Sequence, residues 1–209
     1  MTTARRVGRP RAQGPSATGR TPREDVLAAA AELFTSRGYS ATSTRAIADL
    51  AGLRQASLYH WFDGKEAILA ALLEGTVRPS LELARELLAD TATPAAARLR
   101  ALCRADVELL CGGPYNLGVL YLLPEVHAER FADFHRTRAE LKAAYGELIA
   151  KALPGLAADE AGLRTDLVFG LIEGVILIRR QDPSPTGPTL ADAAADGALR
   201  LAGITPAAS

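Results

Sequence analysis

From Ser43 to Leu69 the chain reads STRAIADLAGLRQASLYHWFDGKEAIL. Thr44, Arg45, Arg54, Gln55, Ser57, Tyr59, His60 and Lys65 crowd hydroxyl, amide, imidazole and cationic groups into this short stretch. No Gly-rich phosphate loop, nucleophile elbow or zinc spacing accompanies them. His60 has no partner nearby in sequence that would make it a catalytic base or a metal ligand. The chemistry left is that of contact. Hydroxyls and cations meet phosphate oxygens, while an amide such as that of Gln55 can pair bidentately with adenine.

Two apolar stripes of helical spacing meet at Ala51-Gly52. The first begins near Ser43 or Thr44 and turns Ile47 and Leu50 inward. The second covers about 55–62 and turns Leu58, Trp61 and Phe62 inward. A helix, a tight Gly-containing turn and a second short helix make a helix-turn-helix. In that arrangement the first helix crosses the nucleic-acid backbone and the second enters the major groove. A plain helical hairpin within a helical core is the alternative. Upstream, Thr21, Pro22 and Glu24 read as a helix start with a capping box. Leu27, Ala30, Leu33 and Phe34 give that helix its inward stripe, and Gly38 its end. Asp63 reads as the cap of a fourth helix running to about Arg78.

The remainder is expected to be helical as well, near 79–91, 94–111, 115–122, 125–153, 159–181 and 189–203, so the fold class is all-α. Hydrophobic residues make up 48% of the 209, enough for a real core. Aromatics are 5%, and Ala, Leu and Arg dominate. Residues 1–20 lack an apolar segment of signal-peptide type, and the run Leu167 to Ile178 is too short to cross a bilayer. A cytoplasmic protein without a membrane partner is expected. Cys103 and Cys111 lie on one expected helix, roughly 12 Å apart, too far for a disulfide. Charge is unevenly placed. Residues 1–65 carry ten Lys/Arg and five Asp/Glu, and the rest fourteen and nineteen. A basic front on an acidic body suits an anionic partner for the front alone; chance is the alternative.

Residues 21–75 resemble the DNA-binding domain of the TetR (tetracycline repressor) family of bacterial regulators. The matching stretches are AAAELFTSRGYSATSTRAIADLAGL, SLYHWF and GKEAIL. Residues 1–20, with Gly, Pro, Ser and five Arg but no acid, read by composition as a disordered basic arm. The resemblance implies a DNA-binding domain over 21–75 and a ligand-binding and dimerisation domain over 76–209. Thr44 and Arg45 are implied as phosphate and base contacts, and Gln55 as a base reader. Ser57, Tyr59, His60 and Lys65 are implied as backbone contacts. Arg54 departs from the family pattern, which has a Ser or Thr cap there. Either the cap is missing, at a cost of about 1 kcal/mol, or Arg54 itself binds guanine or phosphate.

The implied partners are double-stranded operator DNA, a small-molecule effector and a second copy of the chain, with no cofactor. For the effector pocket, Asp106, Tyr115, Asn116, Tyr121, Phe134 and Phe169 stand out as polar or aromatic residues on apolar helices. For the homodimer, the stretch TDLVFGLIEGVILIRR is apolar nearly all round, and Gly170, Gly174 and Ile178 are placed at the interface. A central helix of a monomer is the alternative. Glu173 is expected to pair across a dimer or to bind a cationic effector. His127, Asp133 and His135 resemble metal ligands by type alone, and no metal is expected. Two rival functions remain at this level: a helical enzyme with an incidental helix-turn-helix, and an architectural DNA-binding protein without an effector.

Arg5, Arg6, Arg9, Arg11 and Arg20 precede the first helix with no acid among them. An arm of this kind can follow phosphates or enter a narrow minor groove. A chain starting at Thr21, titrated with salt on one operator, is expected to show a log K versus log salt slope flatter by roughly two or three per subunit. An unchanged slope and affinity would show that the arm touches nothing.

Overall fold

The computed structural model describes residues 19–182 and 188–205, and those residues contain helices, turns and loops without a strand. All but the last two residues of the basic arm lie outside the described residues. Helix α1, Pro22–Arg37, begins as its sequence requires. Glu24 N donates to Thr21 Oγ1, and Thr21 N donates back to Glu24 Oε2 at 2.7 Å. Gly38 ends it at φ 88, a conformation that favours glycine. Helix α2, Thr44–Leu50, is capped by Ser43, whose Oγ accepts from Ala46 N at 3.1 Å. Gly52 at φ 70 turns the chain into α3, Gln55–Tyr59. Helix α4 spans Lys65–Glu74. Val26, Ala30, Leu33, Phe34, Ile47, Leu58, Phe62, Ile68 and Leu72 fill the space between these four helices.

Local details differ from the sequence reading. Leu50 is 47% and Trp61 42% exposed rather than inward. Leu50 ends α2, where Ile47 and Ala48 already fill the wall. Helix α3 stops at Tyr59, so Trp61 is not carried by its stripe, and Phe62 alone turns into the core. Asp63 does not cap α4; the cap position is Gly64, without a side-chain bond.

The second layer holds α5, Arg78–Ala89; α6, Ala95–Cys111; α7, Ala132–Ala152; α8, Ala158–Gln181; and α9, Pro188–Ala202. Leu99, Leu102, Leu141, Leu148, Val168, Ile172, Ala195 and Leu199 are in its core. Ala191, Ala195 and Ala198 let α9 lie close along α6. Arg100 of α6 bridges Asp192 and Asp196 at 3.0 and 2.7 Å. Cys103 and Cys111 are buried free thiols on α6.

Residues 115–131 are not the two helices expected. They form three short 3-10 turns, Leu117–Leu122, Pro124–His127 and Glu129–Phe131, before α7 starts at Ala132. The reason is burial. Leu120, Val126 and Phe131 all enter the core of α1 to α4, and at about 100° per residue a straight helix would turn Val126 roughly 140° away from Phe131. This connector joins the two layers. Arg179 of α8 fixes its start: Nη1 donates to the carbonyls of Leu110, Gly112 and Tyr115 at 3.1–3.2 Å, and Nη2 to Gly113 at 2.6 Å. Gly118 lies so close to α8 that a Cβ there would sit 2.4 Å from Ile176 Cγ1.

One buried carboxyl links three helices. Asp106 of α6 accepts from Ser80 Oγ of α5 at 2.8 Å and from Tyr145 Oη of α7 at 2.9 Å. Burial pushes its pKa up from 3.8 to about 6; the two hydroxyls oppose this and the Glu173 carboxylate adds to it. With the folded pKa raised, the stabilising protonated form is fully present below about 3.8 and is lost as pH rises through about 6. Unfolding titrations are therefore expected to show stability falling between pH 4 and 6 by up to about 3 kcal/mol from this group. In Asp106→Asn that component is expected to vanish. An equal pH slope in both chains would contradict the assignment.

Candidate nucleic-acid interface and ligand cavity

The outer face of α2 and α3 carries the contact chemistry. Thr44 Oγ1 accepts from Gln55 Nε2 at 3.2 Å and lies 3.2 Å from Tyr59 Oη. Gln55 and Tyr59 are one turn apart on α3, so Thr44 ties the start of α2 to both ends of α3. Arg45, Arg54, Ser57 and His60 are exposed around this cluster. Arg45 lies 4.0 Å from Asp49, a pair too exposed to hold it. Arg54 stands at the α3 cap in extended conformation and makes no cap bond, so the expected cap is missing.

Lys65 is less free than the sequence suggested. Its Nζ donates to Tyr39 O at 2.8 Å and sits 4.2 Å from the centre of the Tyr39 ring. The ammonium thus braces the corner between α1 and α2. Burial, with the Glu66 and Glu125 carboxylates, pushes the Tyr39 hydroxyl up to about 12. Trp61 was missed as a surface residue. Its ring meets His60 edge-on at 5.2 Å beside the outward face. The signal available was the short span left to α3 once Phe62 is committed to the core.

A cavity of about 400 Å³ lies between the connector, α7 and α8. Of the six pocket candidates, Tyr121 and Phe134 line it, together with Gly118, Leu122, Ile176 and Leu177. Its polar lining comes from Tyr121, His127, His135, Arg138 and Glu173. The other four candidates join elements instead. Asp106 belongs to the α5–α6–α7 network. Tyr115 Oη donates to Glu32 of α1 at 2.7 Å. Asn116 Nδ2 donates to Ile176 O at 2.9 Å. Phe169 is buried edge-on to Tyr145 and under the Arg138 guanidinium.

Glu173 is neither unpaired nor waiting for a partner subunit. Arg138 grips it with Nε and Nη2 while lying over Phe169. The cavity's strongest charges therefore cancel inside the chain. His135 Nε2 lies 2.8 Å from Val126 O; a carbonyl only accepts, so Nε2 carries the proton. Asp133 pairs with Arg136. Among the described residues no three His, Cys, Asp or Glu side chains are grouped to hold a metal. Tyr121 Oη donates to Thr76 Oγ1, since the Thr76 hydroxyl proton is given to Leu73 O. One wall of the cavity is thereby bonded to the junction of α4 and α5.

An apolar stripe runs along the outward side of α8. Leu163, Leu167, Gly170, Gly174 and Leu177 recur at alternating spacings of four and three, and Ile178 flanks them, also exposed. A Cβ at Gly170 or Gly174 would meet nothing within 4 Å. Packing within the single chain therefore does not demand those glycines.

The family described as bacterial regulatory proteins, tetR family, matches residues 26–72, the region of α1 to α4. A solved structure of AmtR from Mycobacterium smegmatis is 49% identical, covers 92% of this chain and 91% of that one, and superposes with a TM-score of 0.81. The HTH-type transcriptional repressor KstR2 of Rhodococcus jostii is 39% identical over 88 residues, 42% of this chain and 43% of the relative. The HTH-type transcriptional activator FasR of Mycolicibacterium smegmatis is 37% identical over 113 residues, 52% of this chain and 51% of the relative. The chain thus spans about half the length of the curated relatives it matches, and nearly all of the solved one. A helix pair of this geometry, the match upon it and near full-length likeness to a solved relative show that the chain belongs to the tetR family of bacterial regulatory proteins.

Proposed function

We propose that this protein is a dimeric, cytoplasmic transcriptional repressor that leaves its operator when a small molecule fills the cavity beside α8. The observation that carries the reading is the outward cluster of Thr44, Gln55 and Tyr59, held rigid on two short helices. Gln55 offers an amide to a base edge. Arg45, Arg54, Ser57 and His60 offer groups to phosphates around it. Lys65 acts chiefly by bracing the corner that presents α2.

The outward stripe of α8 is the surface on which two copies meet, and exposed apolar side chains of this extent mark an interaction site. A two-fold dimer sets its two α3 helices about 34–36 Å apart, one DNA turn, or a multiple of it. Among the described residues no helix is long and apolar enough to cross a membrane, which agrees with work in the cytoplasm on DNA. The cavity size falls within the range of small-molecule sites. Its ion pair is already matched, so an uncharged and largely apolar effector suits it best. Breaking this partly buried pair to admit a charged ligand would leave one of its charges uncompensated. The connector supplies the coupling. It walls the cavity and is bonded to the DNA-binding helices through Tyr115–Glu32, Ser40–Glu125 and Tyr121–Thr76. A ligand that fits one position of the connector better than another shifts the helices with it. Activation is the second reading, favoured by the FasR alignment.

Site selection on random DNA tests the base reader. Gln55→Ala is expected to relax the preference at one position of each half-site by about 1–3 kcal/mol. Tyr59→Phe and Lys65→Ala are expected to weaken binding to all sequences alike. An unchanged site preference in Gln55→Ala would remove that residue from the role. The same selection is expected to return a near-palindrome, and a single chain that protects such a site alone would sink the dimer. Native mass spectrometry of the purified protein, followed by a gel shift with whatever is released, tests the effector.

A further inference from the structure

We infer that the effector is an uncharged aromatic molecule whose ring joins a cluster of rings already standing in the cavity; the inference rests on the proposed ligand site. Tyr, Phe and Trp make up only 5% of the chain, and three residues are His. Four of the twelve residues that line the cavity nevertheless carry rings: Tyr121, His127, Phe134 and His135. Two of the chain's three histidines are thus gathered at one cavity. Three of these rings touch in sequence. The centroids of Tyr121 and Phe134 are 5.0 Å apart with the planes at 56°, and those of Phe134 and His135 are 5.2 Å apart at 55°. Tilted contacts at this spacing are among those that ring quadrupoles favour.

Core packing accounts for only part of the set. Phe134 is buried among the core residues of α1 to α4, but Tyr121 is half-buried and His127 and His135 are exposed. Their open sides leave faces and edges for a further ring. Two of them are also held in place, Tyr121 by its bond to Thr76 and His135 by its bond to Val126 O. Contacts to groups already fixed cost little ordering when a ligand arrives. Arg138 adds a fifth flat surface to the lining. Glu173 grips its edge and the Phe169 ring lies under one face. A guanidinium held as a plane is one on which a ring stacks. Its charge is already paired, so the ligand brings none. An aliphatic molecule of the same size would fill the space and gain none of these ring contacts.

The experiment titrates the full chain calorimetrically with two neutral alcohols of one carbon skeleton, 2-naphthalenemethanol and its decahydro derivative. Both carry the same hydroxyl, and the saturated probe is the more apolar, so hydrophobic transfer alone favours it. The aromatic probe is expected to bind about tenfold tighter, the factor that one or two added ring pairs contribute. The preference is expected to shrink in His127→Leu, at an exposed position, and in Phe134→Leu, with circular dichroism checking the helix content of each. Equal affinity for the two probes, or tighter binding of the saturated one, would overturn the aromatic class while leaving the cavity a ligand site. A preference undiminished in both folded variants would put the ring elsewhere and overturn the assignment to this cluster. No binding of either probe up to about 1 mM would overturn the cavity as a ligand site, and the aromatic class with it.

Discussion

The guanidinium of Arg179 is the interaction on which the arrangement depends. It is buried, and a buried charge is tolerated only with its donors satisfied. The last carbonyls of α6 are in the converse state, since a helix end leaves acceptors without N–H partners. Placing one against the other satisfies both, and Gly113 and Tyr115 are gathered into the same grip. The connector thus leaves α6 from a fixed point on α8. Everything beyond follows from that origin: Tyr115 reaches α1, Leu120 and Val126 fill the core under the helix-turn-helix, and Tyr121 walls the cavity.

The DNA-facing helices need such support. Helix α3 has five residues, far below the length at which a helix is stable by itself, and its first turn lacks a side-chain cap. Leu58 anchors it from beneath, and Thr44 bonds its two ends from above. The side chains best placed to read DNA are therefore also the ones that hold the reading helix. This constrains exchange at Thr44 more than at Arg54, whose side chain makes no cap bond.

What was legible in the sequence was local. The Thr21–Glu24 capping box, Ser43, Gly38 and Gly52 each act within a few residues, and each stands where the sequence indicated. Trp61 was misread because one helical turn too many was granted to α3. Of the six pocket candidates only Tyr121 and Phe134 line the cavity, because what separates a cavity wall from a joint between elements is a distant partner. Tyr115 finds Glu32 across 83 residues, and Arg138 finds Glu173 across 35. No spacing rule reports such pairs. Asp106 was singled out for being polar on an apolar helix, which was a sound signal of a constraint, yet the constraint is structural.

The hydroxyl of Tyr121 shows how the proposed effector site and the proposed DNA site bear on each other. Its proton is already given to Thr76, at the end of α4, and what remains towards the cavity is a lone pair. A ligand that donates to Tyr121 can sit on that lone pair and leave the bond to Thr76 in place. A ligand that accepts must take the proton from Thr76 and so uncouple the connector from α4. Two molecules of the same shape and similar affinity can therefore differ in their effect on DNA binding. Only differential affinity for the two arrangements of this contact shifts the balance between them.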